Sequence, residues 1–196
     1  MEQLADQVAA ALQAQGWCVI DDALSNAMAT ALARECGEAP RAAFKPAGVG
    51  RRNEHQRAPL VRSDVIRWIE PSMEAGKQYL ALMDELRAAL NQRLFLGLFD
   101  YECHYARYEP GAFYRRHVDA FADGKNRVLS TAFYLNRDWR TEEGGELRLY
   151  KAEAEVATVL PQWNRLVIFL SESFPHEVKP ATRERHSIAG WFRIRS

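Results

Sequence analysis

YECHYARYEPGAFYRRHVD, running from Tyr101 to Asp119, decides how the chain is read. An aromatic run over residues 101–108 stops at Glu109-Pro110-Gly111, which has the composition of a turn, and a second strand-like run over residues 113–119 begins at once. The pattern then repeats to the C-terminus. Further strands are expected over residues 128–135, 146–150, 156–160, 166–170, 176–179 and 186–194, with breaks at Asp123-Gly124-Lys125-Asn126, Gly144-Gly145 and Pro161. Eight short strands joined by short turns predict a jelly roll, the double-stranded β-helix.

Upstream the period changes. Leu4, Val8, Ala9 and Leu12 are spaced for a helix that stops at Gly16, and a strand is expected over residues 17–20. Ser25 caps a second helix running to about Ala33 and ending near Gly37. Residues 66–69 alternate like a strand, and Leu80, Leu82, Met83, Leu86, Leu90 and Leu94 mark a long amphipathic helix over residues 73–94. The expected class is α+β: a jelly-roll core over 101–196, supported by N-terminal helices within 1–100, in one domain spanning 1–196. Residues 37–62 form a long, mobile loop with six basic residues against Glu38 and Glu54. Loops of this length act as lids or binding segments, or are passive and solvated.

Composition narrows the partners. In 196 residues, 26 Lys and Arg balance 26 Asp and Glu, and 47% of residues are hydrophobic. Such a chain buries a core and has no general attraction for nucleic acid or anionic lipid. The apolar runs are too short to span a bilayer, and the acidic start is unlike a secretory leader, so a cytoplasmic protein is expected. Cys18, Cys36 and Cys103 form neither a metal motif nor a disulfide framework and read as reduced, buried side chains.

The chemistry centres on His117-Val118-Asp119. In a strand, side chains two apart point the same way, so both can grip one metal ion. His176 supplies a third ligand, and two imidazoles with one carboxylate suit non-heme Fe(II) while leaving positions open. Zinc can use the same atoms. Arg185, nine residues beyond His176, lies in the next strand and can clamp a carboxylate through its two nitrogens. His104 and His186 read as pocket-lining or backbone-bonded histidines, and His55 as a solvent-facing one.

At these residues the chain resembles the Fe(II)- and 2-oxoglutarate-dependent oxygenases, in the prolyl hydroxylase branch of the oxygen-sensing enzymes and their bacterial relatives. The resemblance extends over Arg62-Ser63-Asp64, Ile66-Arg67-Trp68-Ile69-Glu70, Tyr134-Leu135-Asn136-Arg137-Asp138-Trp139, Gly144-Gly145-Glu146-Leu147-Arg148 and Pro175-His176-Glu177-Val178-Lys179-Pro180. It implies that His117, Asp119 and His176 bind Fe(II), that 2-oxoglutarate chelates the metal, and that Arg185 and Tyr134 hold its distal carboxylate with Tyr108 over the cosubstrate. It implies O2 as oxidant, ascorbate as reductant, succinate and CO2 as products, and hydroxylation of a prolyl residue in a protein or peptide. Arg127, Trp191 and Asp64 are then substrate-binding candidates. The chain departs from the oxygen-sensing enzymes in a shorter turn between Tyr108 and Tyr114, in Ala189 where they carry a hydroxyl, and in ending just after the last strand. The same chemistry on a free amino acid or a non-proline side chain, and a non-catalytic metal-binding jelly roll, are the alternative readings. Oligomeric state and substrate identity stay open.

Overall fold

The computed structural model describes residues 1–48, 60–119 and 126–195. Helix α1 (Glu2–Gln15) buries Ala5, Val8, Ala9 and Leu12, the stripe its spacing predicts. Gly16 ends it in the left-handed region at φ 85°, and a Cβ there would lie 2.8 Å from the Phe174 ring. Only glycine allows so direct a passage into β1 (Trp17–Ile20). Ser25 caps α2 (Asn26–Glu38), its Oγ accepting from the Met28 N–H at 3.2 Å. The helix runs past the expected Ala33, because Leu32 and Cys36, four residues apart, continue its buried stripe.

A short 3-10 turn at Arg41–Ala43 and the two-residue strand β2 (Lys45–Pro46) follow. The segment 37–62 is therefore structured at its start, where β2 pairs with β3 (Val65–Trp68). Residues 49–59, which include His55 and the middle of the expected lid, lie outside the described residues.

Helix α3 (Glu74–Leu94) has no capping side chain of its own at Met73. Glu35 of α2 supplies the cap: its carboxylate accepts from the backbone N–H groups of Ala75 and Gly76, both at 2.9 Å, and from the Tyr105 hydroxyl at 2.7 Å. A Cβ on Gly76 would lie 2.6 Å from Ile69 and 3.2 Å from this carboxylate, so glycine leaves room for the approach.

The eight expected strands all form: β4 (Asp100–Tyr108), β5 (Tyr114–His117), β6 (Arg127–Tyr134), β7 (Leu147–Lys151), β8 (Ala154–Val159), β9 (Leu166–Leu170), β10 (His176–Val178) and β11 (Arg185–Arg193). Among the described residues they make two antiparallel sheets, ordered β1-β9-β6-β11-β4-β3-β2 and β5-β10-β7-β8. This is the double-stranded β-helix, four core strands to each sheet. β1, β2 and β3 widen the larger sheet, so the first hundred residues contribute strands as well as helices.

Strand alternation divides the core. Tyr105, Leu129, Phe133, Leu166, Ile168, Ile188 and Phe192 face the helices, joining Leu32, Tyr79, Met83 and Leu86. Ala106, Tyr108, Tyr134, Val167 and Phe169 face the smaller sheet, joining Leu147, Leu149 and Val178. Fully burying each large apolar side chain contributes roughly 1.5–3 kcal/mol, so both faces of the larger sheet carry the fold. Among the described residues no helix is long and apolar enough to cross a membrane.

Because one carboxylate serves three donors, Glu35→Ala is expected to lower unfolding stability by roughly 2–4 kcal/mol, and Glu35→Gln by less. Urea midpoints of the variants check this.

Candidate active site

β5 ends at His117, so Asp119 lies beyond the strand and not within it as expected. Sheet alternation therefore does not aim Asp119. Its Oδ2 accepts instead from the Ser130 hydroxyl at 2.7 Å and from the Trp191 indole N–H at 2.9 Å, and Ser130 meets Ser171 at 2.9 Å. His176 opens β10, directly opposite His117 in the antiparallel ladder.

The three side chains place their ligand atoms within 4.8 Å of one another. Each His Nε2 lies 3.5 Å from an Asp119 oxygen. The His117 Nδ1 donates to the Arg115 carbonyl at 2.8 Å and the His176 Nδ1 to the Phe174 carbonyl at 3.1 Å. A carbonyl can only accept, so each ring carries a proton on Nδ1 and turns its Nε2 toward the cluster. Burial opposes ionisation of Asp119, but His176, His117 and the Ser130 hydroxyl outweigh it and hold the carboxyl well below its ordinary range. Burial pushes His176 down to about 4 against the pull of Asp119. The donor set is thus one carboxylate held as the anion and two imidazoles whose Nε2 atoms face it, a combination that suits a divalent metal.

The cluster opens into a cavity of about 200 Å³. Arg185, Ser187, Ala189 and Trp191, on one face of β11, line it with His104, Ala106 and Tyr108 of β4. The Arg185 guanidinium is buried, donates to the Gly145 carbonyl at 3.0 Å and the Ser187 hydroxyl at 3.2 Å, and lies 4.9 Å from the Tyr108 ring and 5.0 Å from the Tyr134 ring. It forms no ion pair among the described residues. The Tyr134 hydroxyl beside it is buried with no hydrogen-bond partner.

The cavity brings together His117, Asp119, His176, Arg185, Tyr108, Arg127 and Trp191, with Tyr134 packed behind Arg185. Asp64 is not among the lining residues: it is 2% exposed, and both its oxygens accept from Arg62, at 2.7 and 2.6 Å. Arg62 lines the cavity in its place. His104 both lines the cavity and meets the Tyr105 carbonyl at 3.3 Å, while His186 pairs with Glu184 at 2.9 Å. Ser130, Ser187, Tyr114 and Trp68 were not singled out from sequence. Ser187 was within reach, since it stands two residues after Arg185 in the same strand.

Two histidines and a carboxylate inside a double-stranded β-helix, next to a buried arginine that meets no acid among the described residues, form a donor set that suits a divalent metal such as Fe(II). The chain belongs to the 2OG-Fe(II) oxygenase superfamily, which matches residues 103–193. It is similar along 98% of its length to a Pseudomonas putida prolyl-4-hydroxylase, all of which it covers, with 45% identity and a TM-score of 0.86. A prolyl hydroxylase from Trichoplax adhaerens, solved with a peptide fragment of hypoxia inducible factor, aligns at 29% identity and TM-score 0.86, covering 98% of this chain and 90% of that one. Human Egl nine homolog 1 is 34% identical over 143 residues, or 67% of this chain and 33% of the relative, so the chain spans about a third of that protein's length.

Without metal, the site sets a pH dependence. Burial lowers His176 and His104 to about 4, so between pH 6.5 and 4 the unfolded chain takes up protons that the folded chain refuses. Stability of the metal-free protein is expected to fall as pH drops through this window, and less steeply in His104→Gln. Denaturant midpoints at pH 7, 6, 5 and 4.5 test it.

Proposed function

We propose that the protein is a 2-oxoglutarate-dependent dioxygenase that hydroxylates a prolyl residue of a protein or peptide. The carrying observation is Arg185, a buried guanidinium without a carboxylate partner among the described residues, in one cavity with a complete metal-ligand set. A buried charge lacking its counter-ion is costly, and a ligand carboxylate relieves that cost. The orphaned Tyr134 hydroxyl fits the same ligand as a second donor.

Fe(II) bound here supplies the activation of O2 that couples decarboxylation of 2-oxoglutarate, to succinate and CO2, with hydroxylation of a C–H bond. The chain supplies placement. The Nε2 atoms of His117 and His176 and the Asp119 carboxylate would hold the metal. Arg185, with Tyr134 and Ser187, would orient the distal carboxylate of the cosubstrate, and Tyr108 packs beside it. Trp68, Trp191 and Arg127 border the side left for the substrate, where flat aromatic surface suits a prolyl ring. The peptide bound to the Trichoplax relative supports a peptide substrate here. Ascorbate is the natural reductant to keep the iron divalent. Three free, buried cysteines suit the reducing cytoplasm.

Incubation with Fe(II), 2-oxoglutarate, ascorbate and a host extract should release succinate and add one oxygen to a proline-containing peptide, and His176→Ala should abolish both. Succinate with no modified peptide would redirect the search to small molecules. Arg185→Lys should leave metal affinity intact and raise the KM for 2-oxoglutarate on the order of 10- to 100-fold, since one ammonium cannot reproduce the two-nitrogen clamp. Equal loss of metal binding in both variants would overturn the assignment.

A further inference from the structure

The three metal ligands are not held in the same way. His176 lies on β10, which is hydrogen-bonded to β5 on one side and β7 on the other. His117 ends an edge strand, and Asp119 lies beyond that strand altogether. The ladder holds His117 from one side and Asp119 not at all, so further contacts must fix these two.

Two chains of side-chain contacts end on them. In one, Asp64 binds Arg62 at 2.6 and 2.7 Å, the Arg62 guanidinium lies 4.2 Å from the Tyr114 ring centroid, and Tyr114 stacks on His117 at 3.5 Å with 14° between planes. In the other, Glu102 accepts from Arg127 at 3.2 Å, Arg127 lies 3.6 Å from the Trp191 ring centroid, and the indole N–H donates to Asp119 at 2.9 Å. The order is the same in both: acid, arginine, aromatic ring, ligand. His176 is backed by Phe169, edge-on at 4.8 Å. The first chain is also tied by backbone, through the Arg62 to Tyr114 bridge, the Arg115 N–H to the Val61 carbonyl at 2.8 Å and the Ser63 N–H to the Phe113 carbonyl at 3.0 Å.

We infer that Asp64-Arg62-Tyr114 and Glu102-Arg127-Trp191 are two positioning relays that fix His117 and Asp119 for metal, the first adding to the one-sided ladder at His117 and the second standing in for the ladder that Asp119 lacks. Each acid holds an arginine whose flat cation would otherwise choose among rotamers, and the arginine fixes a ring through cation–π attraction. The ring then restricts the ligand: Tyr114 by stacking, Trp191 by a directed hydrogen bond. Groups that orient a metal ligand from behind affect metal affinity strongly. Arg127, Trp191 and Asp64 thus act on the metal site itself, and both arginines enter the cavity wall with their charge already matched.

This inference builds on the proposed function, but its test does not need it. Metal-free protein is titrated with Co(II) alone, following ligand-field absorption, with no cosubstrate or peptide present. Trp191→Phe and Tyr114→Leu should weaken Co(II) binding about tenfold and shift the spectrum. Arg62→Met and Arg127→Met should each weaken it several-fold, with recovery in the lysine variants, and Tyr114→Phe, which keeps the ring, should bind as the parent does. Adding Arg62→Met to Tyr114→Leu should cost little more than Tyr114→Leu alone, because one chain has already been cut. Parental affinity and spectrum in both methionine variants would overturn the relays. Should a methionine variant lose its folded circular dichroism signal, parental behaviour in the lysine variants together with Tyr114→Leu would overturn them equally. Succinate release by the parent protein reports separately on the function, so either idea can fail alone.

Discussion

Everything in this protein is arranged around β11, a strand hydrogen-bonded to β4 along one edge and β6 along the other, with covered faces on both sides. A side-chain period of two then leaves no freedom. Ile188 and Phe192 enter the helix-facing core, and Arg185, Ser187, Ala189 and Trp191 must enter the cavity. A slip of one residue would bury Arg185 among leucines and turn Phe192 into the pocket. The cost of those two errors locks the register, and with it the position of Arg185, which meets no acid among the described residues.

The arginines around the cavity divide by what neutralises them. Arg62 and Arg127 have Asp64 and Glu102, so they enter the wall as neutral pairs. Among the described residues Arg185 donates to a carbonyl and a hydroxyl and meets no acid. The uncompensated charge of the described cavity wall therefore lies at Arg185, although the chain as a whole is neutral, and on the proposed function a carboxylate ligand would be drawn there.

Much of this was legible in the sequence because the determining physics is local. Period-two alternation and turn residues mark the eight core strands, and short spacings join His117 to Asp119 and His176 to Arg185. Long-range arrangements were not legible. Nothing in the residues near Glu35 says that it caps α3, since its partners Ala75, Gly76 and Tyr105 are far away in sequence. Asp119 was correctly associated with His117 for an incomplete reason: the strand ends before it, and Ser130 and Trp191 do the aiming. Asp64 became a substrate-binding candidate through the family resemblance, and the short spacing to Arg62 gave no sign that folding brings that guanidinium onto both of its oxygens.

The pairing of His117 with His176 also sets when the metal site can exist. These ligands belong to β5 and β10 and stand 59 residues apart in sequence (176 − 117), so the cluster exists only where this long-range pairing has formed. In small zinc domains the ion and the fold arrive together. Here two large cores stabilise the scaffold without an ion. On the proposed function the folded chain would be loaded afterwards, and a cell short of iron would hold it as folded, inactive protein.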